Sequence, residues 1–203
     1  NFKLSSVPTS SIPLPQTRAS AITMGAFSPP TLGHDRLFKE MEKSGLYPYA
    51  GVSKGVGRDF DIGLSIGEKT KLLKSAYPNI NFGQSPFGRG APDVVRFGDE
   101  ATRFDKPKSN VYLGSDRAHD SVGAGFAKAG YSVKEVSRSA VDGLDKNNLS
   151  ATKVREAIVG NRVGSLKNSL NPRVYKFIEE NQNSLRYRAG MLQKRGQKIK
   201  SLE

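Results

Sequence analysis

Residues 19–34 read Ala19-Ser20-Ala21-Ile22-Thr23-Met24-Gly25-Ala26-Phe27-Ser28-Pro29-Pro30-Thr31-Leu32-Gly33-His34. Their first six residues favour a β-strand, Gly25 and the Pro-Pro pair form a turn, and a helix begins near Gly33 and His34. Leu37, Phe38 and Met41 continue that helix at helical spacing, and Gly45 stops it. A strand that runs through a tight turn into a helix is the building unit of a parallel α/β sheet, whose ligands bind at the carboxyl ends of the strands. The turn suits a phosphate. Gly25 lets a ligand approach the backbone, and Pro29 and Pro30 stiffen the chain. Thr31 and His34, three residues apart, face the same side, and the N–H groups of a helix start attract an anion. A helix-capping threonine followed by a surface histidine fits the same residues.

Working outward, the same alternation recurs. Strands are expected at 49–53, 80–82, 110–113 and 132–136, with helices at 93–104 and 116–128 between them. Ser65 and Glu68 match a capping box ahead of Leu72, Leu73 and Ala76. Ser150 caps a helix to residue 159, and Pro172 starts one to residue 180. The fold class expected is α/β: a Rossmann-like, doubly wound parallel sheet of about five strands with C-terminal helices. Residues 21–182 make up this domain. Residues 1–20 form an extended arm rich in Ser and Pro, and residues 183–203 a basic tail with six Lys and Arg against Glu203.

The 203 residues have room for a core, and carry 32 Lys and Arg against 19 Asp and Glu, a net charge of +13. Such an excess attracts polyanions, or simply keeps the chain in solution. No Cys is present, which removes thiol chemistry and Cys-ligated zinc, and with His34 and His119 as the only histidines a zinc site built mainly from His is not expected. His119 reads as a surface or core histidine. Asp59, Asp61, Lys54 and Arg58 lie in a glycine-bearing loop that reads equally well as solvated or as a flap over phosphates. The run from Gly63 to Thr70 resembles a P-loop but carries Glu68 where that motif needs glycine. No apolar stretch is long enough for a membrane span. The expected location is cytoplasmic or virion-associated. The acid-free, Ser- and Pro-rich start equally resembles the end of a transit peptide.

The turn resembles the G-x-F-x-P-x-(H/T)-x-G-H signature of the HxGH nucleotidyltransferase superfamily. Leu149-Ser150-Ala151-Thr152-Lys153-Val154-Arg155 resembles that superfamily's I-S-S-T-x-x-R, with Ala151 in place of a serine. Gly114-Ser115-Asp116 after a strand is similar to its G-x-D. Leu170-Asn171-Pro172-Arg173-Val174-Tyr175-Lys176-Phe177-Ile178 is similar to the ending L-x-P-x-V-x-x-Y-I of nicotinate and nicotinamide adenylyltransferases. Pro29-Pro30-Thr31 and Ser150-Ala151-Thr152-Lys153 look closest to tailed-phage nucleotidyltransferase-like proteins, in which an arginine usually stands at the position of Ala26.

The resemblance implies transfer of an adenylyl or cytidylyl group from a nucleoside triphosphate to a phosphate-bearing acceptor, with release of pyrophosphate. Nicotinamide mononucleotide leads the acceptor candidates. His34, Thr31 and Arg155 would be catalytic. Gly25, Ala26, Phe27, Gly33, Gly114, Asp116, Ser150 and Thr152 would bind the nucleotide. Mg2+ would arrive with ATP or CTP, with no dedicated protein ligands. The alternative is a catalytically weak or inactive relative that docks in a viral or nucleoprotein assembly, and Ala26, Ala151 and the basic tail suit it. The tail's partner would be nucleic acid or an acidic protein surface. A fragment of a class I aminoacyl-tRNA synthetase shares the His-containing signature but fits neither the length nor the S-A-T-K sequence.

Overall fold

The computed structural model describes residues 18–53, 62–87, 90–103, 105–137 and 150–200, with side chains as far as Leu192. Five strands, β1 (Ser20–Gly25), β2 (Tyr47–Ser53), β3 (Asn81–Ser85), β4 (Asn110–Gly114) and β5 (Ser132–Val136), form one sheet in the order β3-β2-β1-β4-β5. Every pairing is parallel. The chain winds from β1 outward to β3, then returns to place β4 on the other side of β1. The order therefore reverses between β1 and β4, and an open α/β sheet has its ligand crevice at that reversal.

Alternation along the strands sends side chains to two cores. Ala21, Ala50, Val52, Phe82 and Tyr112 meet Leu37, Phe38 and Met41 of α1 (Leu32–Lys43) and Leu73 of α2 (Ile66–Ala76). Ile22, Tyr49, Val111 and Leu113 meet Val94, Phe97 and Ala101 of α3 (Ala91–Thr102), together with Val122 and Phe126. A third cluster holds the C-terminal helices against Leu72 of α2. It contains Val154 and Ile158 of α6 (Ala151–Val159) and Val174, Ile178 and Leu185 of α7 (Pro172–Lys200).

The expected helix at 116–128 is two helices, α4 (Ser115–Ala118) and α5 (Ser121–Lys128). Asp120 breaks it, because its carboxylate accepts from the Val122 N–H at 2.7 Å and restarts the helix as an N-cap. The expected stop near residue 180 also fails. The helix runs on to Lys200 because Leu185 and Ala189 are buried and Arg188 pairs with Glu68 at 2.9 Å. The segment read as a basic tail is thus, as far as Lys200, the second half of α7. Among the described residues no helix is long and apolar enough to cross a membrane.

Candidate functional site

A cavity of about 190 Å³ opens at the carboxyl ends of β1 and β4, at the reversal of strand order. Thr23, Met24 and Gly25 line it from β1, Leu113 and Gly114 from β4, and Thr31, Gly33 and His34 from the start of α1. Phe27, Asp116 and Arg117 also line it.

The start of α1 is built around His34. Thr31 is the N-cap, and its N–H donates to His34 Nδ1 at 2.9 Å. The Thr31 hydroxyl lies 3.0 Å from the same nitrogen. A ring nitrogen that accepts from an amide carries no proton, so the neutral imidazole holds its proton on Nε2. Phe27 meets the His34 ring edge-on, with centroids 5.1 Å apart, and packs on Phe38 as well. To reach this place Phe27 takes a left-handed backbone, φ 44°. A side chain at Gly25 would collide with the Phe27 ring 2.9 Å away. The space that glycine leaves is thus filled first by Phe27 rather than by a ligand. The Thr31 N–H is already used. Leu32 and Gly33 open the helix, where N–H groups have no acceptor within it and attract an anion. The Ser28–Pro29 peptide in this turn is cis.

Next to His34, Asp35 turns the other way. The Tyr77 hydroxyl donates to it, tying α1 to the end of α2. Burial raises the Asp35 carboxyl above the usual carboxylate range, against the lowering effects of that hydrogen bond and of Lys39.

Arg155 joins the second segment to the first. Its Nη1 donates to the Ser28 carbonyl at 2.9 Å, and its Nη2 to the Thr152 hydroxyl at 3.1 Å. Ser150 caps α6 by accepting from the Lys153 N–H at 3.2 Å, which leaves its O–H to donate elsewhere. Two segments far apart in sequence therefore meet at the turn. Gly25, Phe27, Thr31, Gly33, His34, Gly114 and Asp116 share the cavity wall. Ser150, Thr152 and Arg155 stand outside that wall and are linked to it through Ser28. Ala26 lies within the turn but not on the wall.

Three contributors were not legible in the sequence. Arg117 places a cation on the wall directly after the Gly114-Ser115-Asp116 run, a position that a basic residue following G-x-D could have flagged. Ser53, at the end of β2, borders the cavity, and its buried hydroxyl has no hydrogen-bond partner among the described residues. Lys69 of α2 is buried at 1% exposure and donates to the Ser53 carbonyl at 2.8 Å, fixing the end of that strand. Neither Ser53 nor Lys69 carried a local signal. His119 is exposed and pairs with Glu135 at 2.9 Å. The loop residues Lys54, Arg58, Asp59 and Asp61, and Leu149 of the second motif, lie outside the described residues.

Among the described residues, no three His, Asp or Glu side chains gather so as to hold a metal. Asp116 is the one carboxylate on the cavity wall among the described residues. This donor set fits a divalent ion that arrives on a nucleotide's phosphates and completes its shell with phosphate oxygens and water.

The class defined by this architecture is the Rossmann-like α/β fold with a ligand crevice at the strand-order reversal. Among solved structures, the chain is similar to NadR protein in complex with NR, at 19% identity and a TM-score of 0.54, over 79% of this chain and 46% of that one. It is also similar to a bifunctional NMN adenylyltransferase/ADP ribose pyrophosphatase from Francisella tularensis, complexed with AMP and a Mn ion. That match has 10% identity and a TM-score of 0.54, over 84% of this chain and 52% of that one. The chain therefore spans about half the length of the structures it matches. No protein-family model and no curated protein matches the sequence.

Proposed function

We propose that the chain is a nucleotidyltransferase, which moves an adenylyl or cytidylyl group from a nucleoside triphosphate to a phosphate-bearing acceptor and releases pyrophosphate. Nicotinamide mononucleotide is the leading acceptor. The observation that carries this reading is the cavity at the β1/β4 reversal, with His34 on its wall and Arg155 tied to the turn through Ser28. The fold shared with NadR and with an NMN adenylyltransferase supports it.

The reaction is an in-line displacement. An oxygen of the acceptor phosphate forms a bond to the α-phosphorus. The bond from that phosphorus to the bridging oxygen breaks, and the electron pair leaves with pyrophosphate. No protein atom becomes covalently attached, so catalysis rests on position and charge. The His34 Nε2–H donates to the α-phosphate, where negative charge gathers as the bond breaks. Thr31 acts through His34, holding the ring from its far nitrogen. The Leu32 and Gly33 amides and the Ser150 and Thr152 hydroxyls face the phosphate chain, and Arg155 offsets the charge of the departing pyrophosphate. A divalent ion such as Mg2+, when bound, neutralises the β- and γ-phosphates.

The test is turnover of radiolabelled ATP and CTP with nicotinamide mononucleotide and other phosphomonoesters, for the unaltered chain and for His34→Ala. Loss of one such donor costs about 10²–10³-fold in turnover. The lost hydrogen bond from the Thr31 N–H to the ring costs about 1 kcal/mol of stability. Equal turnover in the two proteins would remove His34 from the mechanism. A chain that binds ATP but turns over no acceptor would instead fit a docking module.

A further inference from the structure

We propose that Arg117 is the residue that selects the acceptor, by binding its anionic group from the β4 side of the cavity while Ser53 receives one of its polar groups. This rests on the nucleotidyltransferase reading and adds to it the identity of the acceptor subsite. Among the described residues, the charged and titratable side chains on the cavity wall are His34, Asp116 and Arg117. His34 comes from α1, after β1, and Arg117 from α4, after β4, so the two reach the cavity from opposite sides of the reversal. Arg155, on α6, is engaged with the turn and with Thr152. The guanidinium groups are thus divided, one at the phosphate-binding turn and one on the wall next to Asp116.

An acceptor that attacks through a phosphate oxygen arrives as an anion and must approach a triphosphate that is also an anion. A cation beside the attacking group reduces that repulsion, and a planar guanidinium grips a phosphate through two parallel N–H donors. The Arg117 stem is steadied by Asp120, whose Oδ2 lies 3.8 Å from Nε. The buried Ser53 hydroxyl, with no partner among the described residues, is the kind of group that a bound molecule satisfies. Lys69 holds the Ser53 backbone in place at 2.8 Å. Arg117 neither gains nor loses a proton in the transfer; it binds and orients.

The experiment is calorimetry on the full chain saturated with a non-hydrolysable ATP analogue, with three phosphorylated probes and their dephosphorylated partners. The pairs are ribose 5-phosphate and ribose, glycerol 3-phosphate and glycerol, and nicotinamide mononucleotide and its riboside. The unaltered chain should prefer at least one phosphorylated member. Arg117→Gln should weaken that probe by roughly 10–100-fold, Arg117→Lys by less, and affinity for the ATP analogue should hold in both. A circular-dichroism melt confirms that the variants are folded, and the partial recovery with Lys separates anion binding from a packing role. Unchanged probe affinity in Arg117→Gln overturns the proposal while leaving nucleotide binding intact. An equal loss of ATP-analogue affinity overturns it too, by moving Arg117 to the nucleotide. An unaltered chain that binds the analogue but none of the probes overturns the subsite. One that binds neither overturns the nucleotidyltransferase reading as well.

Discussion

His34 depends on Thr31 through a single ring nitrogen, and this sets what each residue contributes. The Thr31 amide and hydroxyl both address Nδ1, at 2.9 and 3.0 Å, which leaves Nε2 as the protonated edge. Thr31→Val keeps the amide bond and loses the hydroxyl. Turnover should fall by roughly 10-fold, the size of one ordinary hydrogen bond, and Thr31→Ser should restore it. Steady-state kinetics of the two variants checks this, and equal loss in both would point to packing instead. This residue pair was legible in the sequence because it spans three positions. So were the Ser65–Glu68 box and the Ser150 cap, each closed within one helical turn. Ser53 and Lys69 were not, because their roles come from the fold bringing distant segments together, while Arg117 was passed over although it directly follows the Gly114-Ser115-Asp116 run. The Lys69–Ser53 bond spans 16 residues, and the Arg155–Ser28 bond spans 127. The second was not anticipated either: the motifs assigned Arg155 to the phosphates and gave Ser28 no role, and only the fold brings the two together.

At the scale of elements, α7 is where sequence reading stopped short. Asn181, Gln182, Asn183 and Ser184 have little apolar character, so periodicity fades before Leu185 resumes it. The structure carries the helix across that gap and buries Leu185 and Ala189. Leu185→Ala should cost roughly 2–5 kcal/mol, the range for a leucine removed from a packed core, as measured by denaturant unfolding. A cost within error of zero would mean that this half of α7 is not docked. The joint with α2 also carries a pH signature. Glu68 is held below the usual glutamate range, first by the Ser65 N–H it accepts and also by Arg188. A depressed carboxylate adds stability above its unfolded pKa and loses it as pH falls through the lower folded value. Both partners are more than a third exposed, so the ion pair contributes only about 0.5 kcal/mol. Glu68→Gln retains an oxygen to close the capping box and removes the charge. Melting curves of the two proteins should differ near neutral pH and converge as the pH drops below the ordinary glutamate range. A constant gap at every pH would exclude the ion pair as the cause.

For the whole molecule, the governing quantity is the net charge of +13. Such an excess either attracts polyanions or simply keeps the chain in solution, and the two readings differ in salt dependence. Residues 186–200 contain six Lys and Arg and no acid. The packing of α7 decides how this can be tested. A truncation at residue 183 would also remove Leu185, Ala189 and the Arg188–Glu68 pair, so any loss of binding would be confounded with loss of stability. Ending the chain after Leu192 avoids this, because it removes Lys194, Arg195, Lys198 and Lys200 and keeps the buried contacts. If this end of the helix lies on nucleic acid, affinity for duplex DNA or RNA should fall as salt rises, with a logarithmic slope of about 0.9 for each phosphate neutralised. Removing four cations should flatten that slope by up to roughly 3–4 units and lower affinity at low salt, while the melting temperature changes little. Fluorescence anisotropy at four or five salt concentrations, on both proteins, measures it. If the shortened chain gives the same slope and affinity, these cations do not touch nucleic acid. If affinity falls with the slope unchanged, the contact is not one of counterion release.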